Sequence, residues 1–316
     1  MLNPHVKALL NLMEQRAIPP LHTLPPAQAR ILYRERKNLT QPVPPSVEEV
    51  RELQSFGPHG PIPLRMYRPA GAKVDTVLPV LVYYHGGGFV IGDLETHDTL
   101  CRELCNGSGC AVVAVDYRLA PEFRFPCAVD DCLAATYWVA NNAQSLKIDP
   151  TRVAVGGDSA GGNLAAVIAI LARDAGDLAI AFQLLIYPIT DARCVAQSHT
   201  TNGQGYMLTN DTMDYFLRHY LTDESEKLNL KASPLLSADL SKLPPAFVLT
   251  AGYDPLHDEG LQYAQRLNES GNVASYICFS RQIHGFIPMG RAIDEANAAV
   301  SMCAGELRRQ LLVGSP

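Results

Sequence analysis

The chain has 316 residues, of which 47% are hydrophobic and 18% are charged. A chain of this length and composition can bury a large core, as one α/β domain with an added segment or as two domains. The formal net charge of −6 leaves no basic surplus for nucleic acid or an anionic membrane. No apolar run is long enough to span a bilayer. We therefore expect neither a nucleic-acid partner nor stable membrane association.

The N-terminus and the cysteines indicate the compartment. The first residues lack a positive segment followed by a long apolar stretch, so we expect no secretory signal. The eight cysteines include no C-x-x-C pair, which argues against a zinc site or a thioredoxin-like motif. We therefore predict reduced thiols in a cytoplasmic protein and no metal site.

Two helical stretches open the chain. Apolar residues recur at helical spacing between Val6 and Ala17, until Pro19 and Pro20 end the pattern. A second helical stretch covers residues 26–35. Because both stretches precede any strand, we interpret them as an accessory layer outside the sheet, although an ordinary packing extension fits the same periodicity.

Predicted strands and helices then alternate along the chain. The strands are predicted near residue 46 and at 62–67, 78–84, 111–117, 152–156 and 182–187, with helices at 97–104, 127–141 and 164–172. Prolines at positions 61, 63 and 69 favour an edge position for the strand at 62–67. The alternation implies crossover connections, and hence an α/β fold with a mostly parallel central sheet flanked by helices.

The alternation is interrupted between residues 191 and about 234. This stretch is polar and glycine-containing around 197–205, and a helix with three aromatic residues is predicted at 208–221. The insertion is a candidate lid. Strand and helix patterns resume with strands at 246–251 and 275–279 and helices at 258–268 and 292–311.

One serine lies among glycines between a predicted strand and a predicted helix. Ser159 is flanked by Gly157 and Gly161 in a G-x-S-x-G pattern, which is typical of a nucleophile on a sharp strand-to-helix turn. A phosphate-binding loop would need Lys-Ser or Lys-Thr after its second glycine, and a dinucleotide site would need G-x-G-x-x-G. The stretch contains neither. Taken alone, the motif also fits a tight turn with an ordinary serine.

A serine nucleophile needs a base, and the base needs a carboxylate that holds its tautomer. In parallel α/β enzymes these follow the serine in the order acid, then histidine. Of the later histidines, His284 follows the last predicted strand, whereas His257 lies too close to the candidate acids. Asp254 follows the strand at 246–251, and Asp258 has the position of a helix N-cap. We assign Asp254 as the acid.

A glycine run supplies the remaining part of such a site. His85 and three glycines follow the strand at 78–84. Backbone N–H groups in such a run can approach a substrate closely and stabilise negative charge on a carbonyl oxygen. The amide of Ala160, directly after the serine, supplies a second donor.

These motifs together resemble the hormone-sensitive-lipase-like family of α/β-hydrolase carboxylesterases, the bacterial family IV esterases. The matching stretches are HGGGF at 85–89, DYRLAPE at 116–122, GDSAGGN at 157–163, DPL and DEG within 254–260, and HGF at 284–286. The resemblance implies an α/β-hydrolase fold with a helical cap. The roles that it implies are Ser159 as nucleophile, His284 as base, Asp254 as its orienting acid, and Gly87, Gly88 and Ala160 as oxyanion-hole donors.

The resemblance also implies a domain organisation and an activity. Residues 1–45 and 191–233 would form the two parts of the cap, and residues 46–190 and 234–316 the hydrolase core. We expect hydrolysis of short- to medium-chain carboxylic esters through an acyl-serine intermediate, with a small-molecule ester as partner and no cofactor. Pairing through sheet edges makes a homodimer a candidate assembly.

Five further residues are candidates for substrate contact. They are Phe89, Asp158, Tyr187, Tyr206 and Leu208. Packing or a structural role explains these positions equally well. Two other functions stay open. An amidase or arylformamidase of the same fold would use the same residues, and a non-catalytic ligand receptor on this scaffold would usually lose part of the serine, histidine and aspartate set that this chain keeps.

Overall fold

The computed structural model describes residues 1–313. Its strands, in chain order, are β1 (Glu49–Gly57), β2 (Gly60–Arg68), β3 (Leu78–Tyr84), β4 (Ala111–Val115), β5 (Ile148–Asp158), β6 (Phe182–Ile186), β7 (Ala246–Tyr253) and β8 (Ala274–Ile283). They form one sheet in the order β1-β2-β4-β3-β5-β6-β7-β8. The strands from β3 to β8 pair in parallel, and β1 and β2 are antiparallel to their neighbours. The predicted α/β architecture is confirmed.

Helices connect the strands and cover both faces of the sheet. They are α1 (Pro4–Gln15), α2 (Pro26–Thr40), α3 (Leu94–Ser108), α4 (Cys127–Asn141), α5 (Ala143–Leu146), α6 (Ala160–Ala175), α7 (Gln197–Asn202), α8 (Asn210–Tyr220), α9 (His257–Glu269) and α10 (Asp294–Arg308), followed by a π-helical turn at Arg309–Val313. Short 3-10 turns occur at Leu21–Thr23, Glu224–Leu228 and Pro234–Leu236. Within residues 1–313, no helix has the length and apolarity needed to cross a bilayer.

The predicted edge position of the second strand is wrong. β2 pairs with β1 along its whole length and with β4 from Leu64 to Tyr67. Pro61 and Pro63 precede the segment that is paired with β4, so their missing N–H groups remove nothing from that ladder. The edges of the sheet are β1 and β8.

Both faces of the central strands are buried, as expected for a parallel sheet covered by helices. In β3, Val80 and Val82 join an apolar cluster with residues of α4 and α6, while Leu81 and Tyr83 join a cluster with α3 and α10. Successive side chains alternate between faces because a strand is pleated with a period of two. The central strands therefore form a rigid frame whose carboxyl ends position the following loops.

The two segments predicted as cap parts meet near those carboxyl ends. The turn Leu21–Thr23 lies against α8, and His22 Nδ1 is 3.2 Å from the Thr212 hydroxyl. The inserted segment 191–233 contains α7, α8 and a short 3-10 turn in place of the predicted single helix.

Glu259 on α9 connects the inserted segment to the core through hydrogen bonds. Its buried carboxylate accepts hydrogen bonds from the backbone N–H groups of Thr190, at 2.7 Å, and Asp191, at 3.1 Å. It also pairs with His199 Nε2 on α7 at 3.0 Å. Burial raises the pKa of Glu259 against the opposing effect of these partners. One carboxylate therefore satisfies three donors from the start of the insertion.

We expect Glu259→Ala to lower the free energy of unfolding by about 3 to 5 kcal/mol, since it leaves buried donors and a buried histidine without their partner. Urea denaturation at pH 7 measures the change. Glu224→Ala is the matched control because that side chain is 84% exposed, and we expect it to change stability by no more than about 0.5 kcal/mol. Equal losses for the two variants would contradict the anchoring role.

Candidate active site

The serine turn connects the end of β5 to the start of α6. Ser159 has φ 57° and ψ −116°, a backbone conformation that side-chain-bearing residues rarely adopt. The turn is held by the Ser159 N–H, which donates to the Ile186 carbonyl at 2.9 Å. Any Cβ on Gly161 would overlap the Tyr84 carbonyl oxygen, so only glycine permits this close approach of α6 to β3.

The structure brings the predicted serine, histidine and acid into one hydrogen-bonded chain. The Ser159 hydroxyl lies 2.9 Å from His284 Nε2, and His284 Nδ1 lies 2.7 Å from Asp254 Oδ2. A carboxylate can only accept, so Nδ1–H donates to Asp254 and Nε2 is left to accept the serine proton. The other oxygen of Asp254 accepts from the Leu256 N–H at 2.8 Å. Asp254 is fully buried, and its hydrogen bond to Nδ1–H restricts the orientation of the imidazole.

Asp258 has a different structural role from the one predicted. The helix α9 begins at His257, so Asp258 lies inside its first turn and is not the N-cap. Its carboxylate accepts the Ser198 N–H at 2.8 Å and pairs with His257 Nδ1 at 2.8 Å. Asp258 thereby joins α9 to α7, and it makes no contact with the imidazole of His284.

The glycine run after β3 lies beside Ser159. Gly88 has φ 59°, and a Cβ there would overlap the ring of Phe216 on α8. Among residues 1–313, no protein acceptor pairs with the backbone N–H groups of Gly87, Gly88 or Ala160. Unpaired N–H groups next to a cavity are available to a ligand oxygen.

Asp158 connects the glycine run to the serine turn. Its Oδ1 accepts from the Gly86 N–H at 2.9 Å and from the Tyr83 hydroxyl at 2.7 Å. His97 Nε2 lies 3.2 Å from the same oxygen. Burial raises the pKa of Asp158, but the charge of His97 and the hydrogen bonds from His97 and Tyr83 outweigh it, so the pKa lies below the usual value. An ionised carboxylate therefore holds the two loops together.

A cavity of about 90 Å³ opens above Ser159. Its wall contains residues from both predicted cap segments and from the core. From the core come Gly87, Gly88, Ile91, Thr96, Asp158, Ser159, Ile189, His284, Gly285, Pro288 and Met289. From the cap segments come Leu21, Tyr33, Arg36, Lys37, Thr40, Gln41, Met207, Leu208, Thr212, Met213 and Phe216.

Of the five residues predicted to contact substrate, two line this cavity and three do not. Asp158 and Leu208 form part of its wall. Phe89 is buried and stacks on Tyr220 with ring centroids 3.8 Å apart. Tyr187 is buried behind the His284 ring, and Tyr206 packs on Tyr253. These three aromatic side chains are engaged in packing, which was the alternative explanation for each of them.

Sequence reasoning missed the contribution of α2. Tyr33, Arg36 and Thr40 all line the cavity, and their spacing of three and four residues places them on one face of the helix. The predicted helix ended at residue 35, so Arg36 and Thr40 lay outside it, whereas the observed helix continues to Thr40. Nothing in the sequence pattern indicated that this face turns towards Ser159.

His85, at the start of the glycine run, is buried and packs flat on Tyr117 with ring centroids 4.2 Å apart. Burial, followed by the charge of His97, lowers the pKa of His85 to about 4. The imidazole is therefore neutral at pH 7.

Comparisons with known proteins identify the family. The sequence profile of the alpha/beta hydrolase fold family matches residues 81–288. Ethyl acetate hydrolase of Pseudomonas putida is 37% identical over 98% of this chain and 99% of that protein. Carboxylesterase NlhH of Mycobacterium tuberculosis is 43% identical over 79% of each chain.

Solved structures agree in fold. An ester hydrolase from the metagenome of Lake Arreo, solved with a bipyridine phosphonate derivative, has a TM-score of 0.94 and 45% identity over 98% of both chains. An esterase from Pyrobaculum calidifontis has a TM-score of 0.89 and 40% identity over 97% of this chain and 98% of that one. The chain belongs to the alpha/beta hydrolase family. Within it, the protein is a carboxylic ester hydrolase of the hormone-sensitive-lipase-like group, which confirms the resemblance.

The pKa of His85 predicts a pH-dependent loss of stability. Between pH 6.5, the ordinary value, and about pH 4, the unfolded chain takes up a proton at this position that the folded chain does not bind. Neutral His85 therefore stabilises the fold fully above pH 6.5, and up to about 3 kcal/mol is lost as the pH falls towards 4.

We expect the free energy of unfolding of His85→Gln to fall less steeply between pH 7 and pH 4.5 than that of wild type. Urea denaturation at both pH values measures the two slopes. His5→Gln, at a half-exposed position, serves as control and should retain the wild-type slope. Parallel slopes for wild type and His85→Gln would contradict the assignment.

Proposed function

We propose that this carboxylic ester hydrolase cleaves short- to medium-chain esters through an acyl-serine intermediate. Ser159 is the nucleophile, His284 the general base and Asp254 the residue that orients it. The observation that carries the proposal is the chain of two hydrogen bonds from the Ser159 hydroxyl through His284 to Asp254, at 2.9 and 2.7 Å. The first distance allows the serine proton to move to the imidazole, and the second allows the carboxylate to hold the imidazole in one tautomer.

In the acylation half, the Ser159 oxygen attacks the ester carbonyl carbon while its proton moves to His284 Nε2. The carbonyl π bond breaks, and the oxygen carries a negative charge in the tetrahedral intermediate. The unpaired N–H groups of Gly87, Gly88 and Ala160 are the proposed donors to that oxygen, each of which is typically worth about 3 kcal/mol. Asp254 stabilises the imidazolium that forms.

Collapse of the intermediate breaks the bond to the alcohol oxygen. His284 returns its proton to that oxygen, so the alcohol leaves neutral and the acyl group stays on Ser159. Water then gives its proton to His284 Nε2 and attacks the acyl carbon, and the same oxyanion donors act again. The serine regains its proton, and the acid is released.

The cavity supports a small substrate. Its volume of about 90 Å³ is well below the ~300–1,000 Å³ of pockets that hold drug-sized ligands. Apolar side chains form part of its wall, among them Leu208, Met213 and Phe216. The methylene groups of a short acyl chain can pack against these apolar side chains.

The direct test is Ser159→Ala together with labelling by an aryl phosphonate ester; the Lake Arreo relative was solved with a derivative of bipyridine phosphonate. We expect wild type to hydrolyse 4-nitrophenyl butyrate and to gain one covalent phosphonate, seen by intact-mass spectrometry. Ser159→Ala should lose at least about 10³-fold in kcat and gain no label. Ser145→Ala, at an exposed position of α5, is the control and should behave as wild type.

Turnover by Ser159→Ala at the wild-type rate would overturn the nucleophile assignment. Folded wild type that takes no label and hydrolyses no ester would favour a ligand receptor on the same scaffold. A panel that pairs each ester with its amide then separates an esterase from an amidase.

Two aspartate variants test the acid. Asp254→Asn should reduce kcat by about 10⁴-fold, because the amide holds the imidazole in the wrong tautomer. Asp258→Asn removes one acceptor between α9 and α7 and should cost about 1 kcal/mol of stability with kcat within a few-fold of wild type. Steady-state kinetics and urea denaturation separate the two effects, and a reversed order of kcat losses would exchange the assignments.

A further inference from the structure

Arg36 places a guanidinium in the wall of the cavity above Ser159. It lies on the face of α2 that also carries Tyr33 and Thr40, and all three residues line the cavity. The Arg36 side chain is partly buried, and one of its terminal nitrogens donates to the sulfur of Met207 at 3.2 Å. A thioether is a weak acceptor, so most of the donors of this guanidinium are not used by strong partners.

No carboxylate of residues 1–313 lies within 4.0 Å of the Arg36 guanidinium. The other charged groups of the same wall are paired. Lys37 Nζ lies 3.6 Å from Glu95, and Asp158 pairs with His97. Arg36 therefore contributes a positive charge to the cavity that its surroundings do not neutralise.

A second cavity, which also borders Arg36, supplies no carboxylate. It has a volume of about 250 Å³ and shares Arg36, Thr40 and Met207 with the first cavity. The other ionisable side chains in its wall are Arg16 and His5. The wall of this second cavity therefore contains no carboxylate that could pair with Arg36.

A partly buried guanidinium without a counter-ion is unfavourable, because desolvation of the charge is not repaid by attraction. Burial accordingly lowers the pKa of Arg36 below its ordinary value. A carboxylate would satisfy it best, since the planar fork of donors matches two carboxylate oxygens in a bidentate pair. An entirely apolar ligand would leave the guanidinium unpaired.

We propose that Arg36 binds a carboxylate carried by the substrate, so that the preferred substrates are esters with a free carboxylate at the end remote from the ester bond. The proposal rests on the proposed function, because it requires the ester carbonyl to lie at Ser159. The class includes monoesters of dicarboxylic acids, with the carboxylate on the acyl side, and acyl derivatives of hydroxy acids, with the carboxylate on the alcohol side.

Two substrate pairs test the proposal and distinguish the two sides. In the first pair, monoethyl adipate has a terminal carboxylate on the acyl side where ethyl hexanoate has a methyl group. In the second pair, 4-acetoxybutanoate has a terminal carboxylate on the alcohol side where butyl acetate has a methyl group. Rates are followed by pH-stat titration at pH 7.5, and kcat/KM gives an anionic-to-neutral ratio for each pair. The variants are Arg36→Gln and Arg36→Lys, with Arg34→Gln as the control on the exposed face of the same helix.

We expect Arg36→Gln to lower the ratio by about 10- to 100-fold for at least one pair, mainly through KM, because a charge-assisted bidentate contact is lost. Arg36→Lys should give an intermediate ratio, since it keeps the charge without the fork. Arg34→Gln should keep the wild-type ratios. Melting temperatures exclude unfolding as the cause of any change.

The proposal would be overturned if Arg36→Gln lowered the anionic-to-neutral ratio by less than fivefold in both pairs. It would also be overturned if wild type hydrolysed the neutral esters but neither anionic ester. Failure of the proposed function gives a different result, since wild type would then hydrolyse neither neutral ester. Because each ratio is normalised to the neutral ester, a general loss of activity in a variant leaves it unchanged.

Discussion

The site depends on one close backbone approach. The turn that carries Ser159 lies against the end of β3, where a Cβ on Gly161 would overlap the Tyr84 carbonyl oxygen. This contact holds Ser159 at φ 57° and directs its hydroxyl towards the loop that carries His284. A strained conformation of this kind persists only where the surrounding structure over-determines it, and here the buried parallel strands on both sides do so.

The same close approach also sets the position of the glycine run relative to Ser159. Asp158, one residue before the serine, accepts the Gly86 N–H, so the strand that delivers the proposed nucleophile also fixes the glycine run. The unpaired N–H groups of Gly87 and Gly88 follow directly along the chain. A displacement of either loop would therefore disturb both the proposed nucleophile and the proposed oxyanion donors, since preorganised donors act only when already in position.

Much of the fold could be predicted from periodicity. The helix predicted at 127–141 is observed as Cys127–Asn141, and the strand predicted at 78–84 as Leu78–Tyr84, because buried helices and strands carry strong apolar patterns. Pairing order could not be predicted in the same way. The prolines of β2 suggested an edge strand, yet β1 adds a further strand beyond it, and which strand pairs with which depends on contacts between distant segments.

The sequence by itself determined the candidates for the proposed chemistry. The order of Ser159, Asp254 and His284 follows from residue types and spacing, and so do the glycines that the sharp turn and the close backbone approach require. Only the tertiary structure decided what surrounds that chemistry. It placed Phe89 and Tyr187 in packing contacts and brought Arg36 from α2 into the cavity wall. Periodicity shows which face of a helix is apolar, but the partner of that face is chosen by packing between segments far apart in the chain.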